Sequence, residues 1–419
     1  MINRFRIQLV IAGFLLIMSL TGIVTAAGLV KTWEERNPAD NPFSGVIISK
    51  DNSTVYAGGS QIFVRTWEGE KKWLGWSGIL ASMSADENYF ISALGNRIQL
   101  DDKNGTELRI VSADTQVRAV ALSSDGSIMI GADDSGNIYS WRANNNKRNS
   151  IHTDLVKQMA YSPSDSFIVV TTEAGLAYYS PYIEEIFVDN QSGSLESFIE
   201  ISSDSSTVIT SGDIRVSSHT NSGVLNWRKD ITQNAIIDMA CSNDCSTIVL
   251  GSKDENVLVL NQYGEVQWKY PTGSWVNGVG VSGDGSIIVA STQDKTLYIL
   301  NKEGRLIAKT TTDTAIQPLS VAVSGDGKRI VIADQVALHG FELTGVLEVT
   351  PGGLFTPAPV TTATSSTQVP FTTTLPKTLP PVTIQTVPAK TGTYSSSLNP
   401  YLAILALSGL LLLVLRKNK

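Results

Sequence analysis

The amino-acid sequence predicts an all-β protein, and three observations carry that prediction. Short runs rich in Val, Ile, Tyr and Thr alternate with turn-forming Gly, Ser, Asn and Asp along most of the 419 residues. Glycine is frequent, with 34 copies, whereas charged residues make up only 17% of the chain. One short segment also returns at a nearly constant step. Together these features indicate many short strands joined by tight turns.

The repeated segment is a short apolar run that ends in Ser, with an Asp two residues later, or three residues later in one copy. Its eight copies are spaced by about 40 residues, and this period without a helical pattern is typical of β-propeller blades. We interpret the Asp as a turn residue of the first hairpin in each unit. A ring of carboxylates that attracts cations is the alternative. The serines are Ser49, Ser84, Ser123, Ser162, Ser202, Ser242, Ser282 and Ser324, and the acids are Asp51, Asp86, Asp125, Asp165, Asp204, Asp244, Asp284 and Asp326.

One repeat unit predicts the internal structure of a blade. The unit contains four strand-like runs separated by turns that carry Gly or Asp. A four-stranded sheet of this kind buries both faces only between neighbours in a closed ring. We therefore predict a propeller of about eight four-stranded blades over residues 28–350, with seven as the alternative number. Either Trp33–Pro42 or Gly345–Thr350 would supply the last outer strand. The four runs are Gly278–Ser282, Ser286–Ser291, Thr296–Asn301 and Arg305–Thr310.

Three outer strands contain a Gly four residues before a Trp. This pattern resembles the tryptophan-docking repeats of pyrroloquinoline-quinone-type propellers, and the units also resemble WD-repeat blades. The resemblance implies that the Trp side chains pack between blades. The chain departs from regular WD repeats because it has no Trp-Asp dipeptide and no Gly-His before a blade. The pairs are Gly69 with Trp73, Gly223 with Trp227, and Gly264 with Trp268.

Both ends of the chain predict export. Arg4 and Arg6 precede an apolar run, and small residues follow it up to Ala27, which together indicate a signal peptide over residues 1–27. An uncleaved membrane helix is the alternative. Residues 351–398 are rich in Thr, Ser and Pro and predict an extended stalk. Residues 399–419 combine an uncharged apolar run with Arg416 and Lys417, which indicates a membrane anchor or a sorting tail with the propeller outside the cell.

The sequence offers few groups for catalysis or metal binding. Cys241 and Cys245 flank one hairpin turn, where they could form a disulfide or remain free thiols. The stretches that begin at Asp101 and Asp133 lack the Glu of a calcium loop, so we interpret them as turns. We predict no catalytic residue, no metal site and no cofactor. The histidines, which we interpret as surface loop or strand residues, are His152, His219 and His339.

The predicted partners follow from location and charge. The net charge of −7 without a basic cluster gives no footprint for nucleic acid. The sequons at Asn52, Asn104 and Asn190 are candidates for N-glycosylation. We expect a non-catalytic interaction module for an extracellular protein or glycan. A self-associating component of a surface layer of archaeal type and a quinoprotein-like or other enzyme are the alternatives. An exposed aromatic cluster would favour the first, and the residues to inspect are Trp67, Trp73, Trp76 and Trp275.

Overall fold

The computed structural model of the chain describes residues 28–36, 43, 45–58, 62–74, 80–145, 147–189 and 197–345. Within these ranges the chain forms 32 β-strands arranged as eight four-stranded antiparallel sheets. Seven sheets contain four consecutive strands, and the eighth combines the last three strands with the first. From the second sheet (residues 80–112) onwards, the inner strands of neighbouring sheets pack on one another, and the inner strand of the last sheet packs on that of the first. The first sheet (residues 45–74) and the second meet through the stacked rings of Tyr56 and Phe90. The described residues therefore form an eight-bladed β-propeller.

The first four blades cover residues 45–189. Blade 1 is β2 (Gly45–Ile48), β3 (Thr54–Gly58), β4 (Phe63–Thr66) and β5 (Lys71–Leu74). Blade 2 is β6 (Leu80–Met83), β7 (Tyr89–Leu94), β8 (Arg97–Asp102) and β9 (Glu107–Ser112). Blade 3 is β10 (Val117–Leu122), β11 (Ile128–Asp133), β12 (Asn137–Arg142) and β13 (Arg148–His152). Blade 4 is β14 (Val156–Tyr161), β15 (Ile168–Thr172), β16 (Leu176–Tyr179) and β17 (Glu185–Asp189).

The other four blades cover residues 198–344 and the first strand. Blade 5 is β18 (Phe198–Ile201), β19 (Thr207–Gly212), β20 (Arg215–Thr220) and β21 (Leu225–Asp230). Blade 6 is β22 (Ile236–Cys241), β23 (Thr247–Ser252), β24 (Asn256–Asn261) and β25 (Val266–Pro271). Blade 7 is β26 (Val276–Val281), β27 (Ile287–Thr292), β28 (Thr296–Asn301) and β29 (Leu306–Thr311). Blade 8 is β30 (Ile316–Val323), β31 (Arg329–Asp334), β32 (Ala337–Thr344) and β1 (Gly28–Arg36).

Strand direction gives the ring two different faces. Because neighbouring strands run in opposite directions, the turns after the first and third strands of each blade lie on one face, here called the turn face. The turn after the second strand and the link to the next blade lie on the other, here called the connection face. The predicted strands of blade 7 agree with β26–β29 to within one or two residues at each end, with Thr296–Asn301 matched at both ends.

The first outer strand of the chain closes the ring. β1 pairs antiparallel with β32, from Gly28 opposite Thr344 to Arg36 opposite Ala337. Of the two closures open from the sequence, the N-terminal one is therefore observed. Gly345 follows the end of β32, and residues 346–350 lie outside the described residues. The closing strand also reaches blade 1, because Glu35 forms an ion pair with the buried Arg65 side chain.

The repeated Ser and Asp build the first turn of a blade. In seven blades the Ser hydroxyl donates a hydrogen bond to the carboxylate of the Asp two residues later, as in Ser282 with Asp284 at 2.6 Å. The Ser282 hydroxyl oxygen in turn accepts a hydrogen bond from the Ile287 N–H at 3.0 Å. The Asp284 carboxylate accepts the Ser286 N–H at 2.9 Å. These contacts are those of a turn-stabilising residue.

Blade 4 departs from this turn. Its Asp lies one residue later, with a φ of 57° at Asp165, whose backbone N–H donates to the Ser162 carbonyl at 3.0 Å. The Asp165 carboxylate instead accepts hydrogen bonds from the Ser124 N–H, at 2.7 Å, and from the Ser124 hydroxyl in the neighbouring blade 3. The extra residue in the sequence of this copy thus converts an intra-turn contact into a contact between blades.

A belt of hydrogen bonds links the first turns round the ring. Across each of the eight blade interfaces, the blade earlier in the ring donates at least one hydrogen bond to the next. At the interface between blades 8 and 1 the donor is the Arg329 guanidinium and the acceptor is the Asn52 carbonyl. The other donor–acceptor pairs are Lys50 with Glu87, Asp86 with Ser124, Ser124 with Asp165, Ser164 with Ser205, Ser203 with Asn243, Asn243 with Gly283, and Gly283 with Gly325.

Apolar side chains fill the spaces between blades. In one such layer Ile209 of blade 5 packs with the fully buried Ile248 and Leu250 of blade 6. In the next, Val249 of blade 6 packs with Val276 and Ile288 of blade 7. Because each blade is covered on both faces by its neighbours, the core is a series of layers round the ring rather than one central core.

Aromatic residues of the outer strands pack on turn glycines of the next blade. The Trp227 ring lies against Gly264, and its indole N–H donates to the Gln262 carbonyl at 2.7 Å. Trp268 makes the same contact with Gly304 and donates to the Lys302 carbonyl at 2.8 Å. Both glycines have positive φ, 69° and 76°, which suits a residue without Cβ. The side chain of Trp73 lies outside the described residues.

Two further aromatic residues occupy this position without the Gly–Trp spacing. Trp33 of β1 contacts Gly69 of blade 1, and Phe187 of β17 contacts Gly223 of blade 5. Trp33 also covers Gly340 of β32 and lies edge-on to Trp67, with ring centroids 6.1 Å apart. The closing strand thus carries the same interblade contact as blades 5 and 6.

The predicted terminal segments fall outside the described residues. These are the signal peptide over 1–27, the stalk over 351–398 and the anchor or sorting tail over 399–419. Within the part of the chain that the structure describes, no helix has the length and apolarity needed to cross a membrane.

Candidate functional site

The inner strands of blades 3, 4, 6 and 7 carry an extra residue near the connection face. In β10, Val117 lies opposite Asp133 and Ala119 lies opposite Ala132, so Arg118 has no cross-strand partner. The same β-bulge places Lys157 between Val156 and Gln158 in β14 of the next blade. A bulge redirects a side chain relative to the strand around it. Blades 3 and 4 therefore each carry a cationic side chain at the bulge position. Blades 6 and 7 carry Ile237 and Asn277 at the equivalent positions.

The residue after the bulge links two pairs of blades. The Ile199 N–H of blade 5 donates to Gln158 Oε1 of blade 4 at 3.0 Å. The Val279 N–H of blade 7 donates to Asp238 Oδ2 of blade 6 at 2.8 Å. Gln158 and Asp238 occupy equivalent positions in their strands, four residues before the repeated Ser. A side-chain oxygen at this position thus accepts an inner-strand N–H of the next blade.

These strands enclose a cavity at the axis of the ring, here called the axial cavity. Its volume is about 610 Å³, and its wall comes from the described parts of blades 1–5. Arg118 and Lys157 supply the positive groups of the wall, and Glu200 of β18 supplies its carboxyl group. The remaining wall is mostly apolar or aromatic; it includes Phe90 and Phe198.

Burial changes the protonation of two acids near the axis. Burial, with a smaller contribution from the Asp238 charge, raises the pKa of Glu200 to about 8. Burial also raises the pKa of Asp238 to about 7, although the Val279 and Met239 N–H groups donate to its carboxylate. Glu200 is therefore mainly uncharged at neutral pH, and its carboxyl group can donate a hydrogen bond. Strongly perturbed acids of this kind mark candidate functional positions.

A second, polar pocket lies on the connection face between blades 5 and 6. This connection-face pocket has a volume of about 530 Å³, and its wall includes Lys253, Glu255 and Lys269. Its loops are tied together by Asp254, whose carboxylate accepts the Gln233 N–H at 2.8 Å and the Asn234 side-chain amide at 2.6 Å. The pocket therefore combines charges of both signs and amide groups on a held pair of loops.

The two cysteines are free thiols in the structure, so the disulfide considered from the sequence is not formed there. Cys241 ends strand β22, whereas Cys245 is buried in the following turn with a φ of 52°. Burial and a hydrogen bond with Cys245 raise the pKa of the Cys241 thiol. A buried thiol with a raised pKa is less reactive than an exposed one.

Two of the three histidines differ from the expected surface residues. His219 and His339 are buried strand residues, whereas His152 is exposed. Burial lowers the pKa of His219 to about 4, so the buried ring is neutral. His339 Nε2 lies 2.9 Å from Asp334 Oδ2. Sequence reasoning placed these residues at the surface because it could not assign their faces in the central strands of a blade.

The Asp-rich stretches form turns. The Asp102 carboxylate accepts the Asn104 and Thr106 N–H groups at 2.9 and 2.8 Å. Burial works to raise the pKa of Asp133, but hydrogen bonds from Tyr139 and Asn137 outweigh it and lower the pKa to about 2. Among the residues that the structure describes, no three His, Cys, Asp or Glu side chains are placed to hold a metal ion.

The candidate glycan acceptors and surface tryptophans have different environments. Asn104 is exposed in its turn, Asn52 is half-buried, and Asn190 lies outside the described residues. Trp67 is buried, with the Arg329 guanidinium over its ring at 4.7 Å, and so is not part of an exposed cluster. Trp275 is half-buried on the connection face, with Lys253 over its ring at 5.1 Å. Trp76 lies outside the described ranges.

Comparison with known proteins gives the fold and nothing finer. No family model matches the sequence, and no curated protein matches it. Among solved structures, the chain is similar to the Dos1 propeller, with a TM-score of 0.63 and 11% sequence identity. The match covers 75% of this chain and 95% of the other. The chain is thus a β-propeller repeat protein with a WD40-like fold.

Proposed function

We propose that the chain is a non-catalytic binding module for an extracellular protein or glycan, held at the cell surface by its C-terminal segment. The observation that carries the proposal is the connection-face pocket. Its amide and charged groups offer hydrogen-bond donors and acceptors on two loops that Asp254 ties together. A few polar groups held in place are what fixes the orientation of a bound ligand.

The axial cavity supports binding over catalysis. Its described wall contains one carboxyl group, that of Glu200, rather than several that converge. Paired carboxylates with separated pKa values are the usual arrangement for hydrolytic acid–base chemistry. Asp238, the nearest perturbed acid, is engaged by two backbone N–H groups and is not part of this wall.

Charge reversal of Lys269 tests the proposed pocket. The full chain, purified in detergent, is applied to arrays of immobilised glycans and of purified extracellular proteins. We expect saturable binding to at least one probe, and we expect Lys269→Glu to weaken it at least tenfold because the reversed charge faces Glu255 in the pocket. The matched control is Lys309→Glu, at the equivalent position of the outer strand in blade 7, which leaves the pocket unchanged.

Equal loss of binding in both lysine variants would place the contact elsewhere on the ring and contradict the assignment of this pocket. Absence of saturable binding to both kinds of probe would contradict the proposed function itself. Thermal unfolding of each variant establishes that the compared proteins are folded.

One observation favours self-association, as in a surface layer, as a second candidate. Four consecutive blades expose an apolar side chain at the start of the outer strand, and exposed apolar groups repeated in this way are typical of interaction surfaces. We expect sedimentation velocity of the full chain to show reversible oligomers that the double variant Leu225→Glu/Leu306→Glu abolishes. A wild-type chain that stays monomeric at all concentrations would rule this candidate out. The four residues are Ile186, Leu225, Val266 and Leu306.

A further inference from the structure

The axial cavity has the size of a small-molecule site. Its volume of about 610 Å³ lies within the range of about 300–1,000 Å³ that is usual for ligand pockets. The surrounding inner strands are fixed by the belt of hydrogen bonds between blades and by the Gln158 contact with Ile199. The cavity is therefore part of a rigid ring rather than a gap between mobile loops.

The positive groups of the cavity come from one side of the ring. Arg118 and Lys157 are consecutive copies of the bulge position, so they stand on neighbouring blades. The Arg118 side chain is exposed and has no ion-pair partner among the residues that the structure describes. An unpaired guanidinium beside a second cation favours a ligand with a carboxylate or phosphate group, which arginine can bind in a bidentate manner.

The remaining wall suits the rest of such a ligand. Glu200 does not oppose an anion, because its carboxyl group keeps a proton near neutral pH and can donate a hydrogen bond to it. Phe90, Phe198 and Met159 supply apolar surface in the same cavity. A ligand with one anionic end and one apolar end would therefore satisfy both parts of the wall.

We propose that the axial cavity binds a small organic anion, with its carboxylate or phosphate group between Arg118 and Lys157 and its apolar part against Phe90 and Phe198. This site is separate from the connection-face pocket, and neither proposal depends on the other. The binding of a macromolecule outside the ring and of a small anion at its axis are thus tested by different variants.

Affinity for the anion is expected to depend on pH. Because a protonated Glu200 donates to the anion and an ionised one repels it, binding weakens as the pH rises through the pKa of Glu200. Asp238 titrates nearby and adds negative charge over the same range. The titratable and charged groups round Glu200 are Arg118, Lys157, Tyr56, Asp238 and Cys241.

Calorimetry on the full chain in detergent tests the site with three probes. Benzoate presents a carboxylate, phenyl phosphate a phosphate, and benzyl alcohol the same ring without charge. We expect a dissociation constant on the order of 1 mM for the better anion, a magnitude usual for so small a ligand. We expect the neutral probe to bind at least tenfold more weakly. The anion that binds with the higher affinity identifies whether the cavity prefers a carboxylate or a phosphate group.

The variants locate the binding within the ring. We expect Arg118→Ala to lower the affinity for the better-binding anion at least tenfold, and Arg118→Lys to lower it by a smaller factor. Asn277→Ala, a change at the same bulge position in blade 7, should leave the affinity within twofold of wild type. In the wild type, the affinity for benzoate should fall at least threefold between pH 6.5 and 9. In Glu200→Gln, the fold-change over the same pH range should be less than half of the wild-type value.

Three results would overturn the proposal. The first is absence of saturable binding of both anions up to about 10 mM, a concentration at which a specific site of this kind should fill. The second is equal affinity of the wild type and Arg118→Ala for the better anion. The third is an affinity for benzyl alcohol equal to that for the anions. A pH dependence that persists unchanged in Glu200→Gln would remove Glu200 from the site. Since Arg118 is exposed and unpaired among the described residues, its variants are expected to fold, and their unfolding midpoints check this.

Discussion

Replacing Gly340 with Ala is expected to lower the free energy of unfolding by about 3 kcal/mol, because the new methyl group would overlap the Trp33 indole that closes the ring. Trp33 cannot move away easily, since it also contacts Gly69 and lies edge-on to Trp67. Urea unfolding followed by tryptophan fluorescence measures the change. Hydrogen exchange of the β1 amides is expected to speed up before that of the other strands.

The matched control is Gly325→Ala in the first turn of blade 8. A Cβ at Gly325 would have no heavy atom within 4 Å, so the free energy of unfolding should change by less than about 0.5 kcal/mol. If the two variants were equally stable, the contact between Trp33 and Gly340 would not hold the closing strand. Uniform acceleration of exchange in all blades would show instead that the ring opens as one unit.

Replacing Glu200 with Gln is expected to stabilise the protein at alkaline pH, by on the order of 3 kcal/mol at pH 9. The pKa of Glu200 is raised to about 8 in the folded chain, above its ordinary value of 4.5. Between these values the unfolded chain releases the proton while the folded chain keeps it, so stability falls as the pH rises through this window. This loss of stability is absent below about pH 4.5 and complete above about pH 8. The Gln side chain does not ionise, so the variant does not lose stability in this way.

Urea unfolding at pH 5 and pH 9 measures this difference. At pH 5 the variant and wild type should differ by less than about 1 kcal/mol, since Glu200 is mostly protonated in the folded chain and only beginning to ionise in the unfolded one. Glu303→Gln, in an exposed turn of blade 7, is the control and should show no such pH-dependent gain. A stability difference that does not change with pH would mean that Glu200 is not held protonated by burial.

The blades were predictable from the sequence because the hydrogen bonds of the repeated turn join residues that are close together in the chain. The Ser hydroxyl, the Asp carboxylate and the turn amides that they bond lie within a few residues of one another, so each copy leaves a short signature. The eight copies of this signature predicted the period and a ring of about eight blades, and the structure has eight. Asp165 shows the limit, because its partner Ser124 belongs to the neighbouring copy and only the ring brings them together.

The closing strand and the axial cavity depend on contacts between distant segments. Trp33 has no Gly four residues before it, so the spacing that marks Trp227 and Trp268 does not find it. Arg118 and Lys157 stand out only when the inner strands are aligned on their serines and the bulge position is known. Glu200 did leave a signal, since an acid within the apolar run of an inner strand is unusual.

Closure by β1 also sets an order of events during synthesis. Gly28 and Thr344, which face each other across the closing pair, are separated by 316 residues, so among the described strands β1 is synthesised first and its partner β32 last. Bringing such distant segments together carries a loop-closure cost of about 5 kcal/mol, and pairing across this distance is intrinsically slow. Because its partner β32 follows blades 1–7 in the chain, β1 remains without a paired strand while those seven blades are synthesised. Its charged residues Lys31, Glu34 and Arg36 would discourage pairing with other chains during that wait.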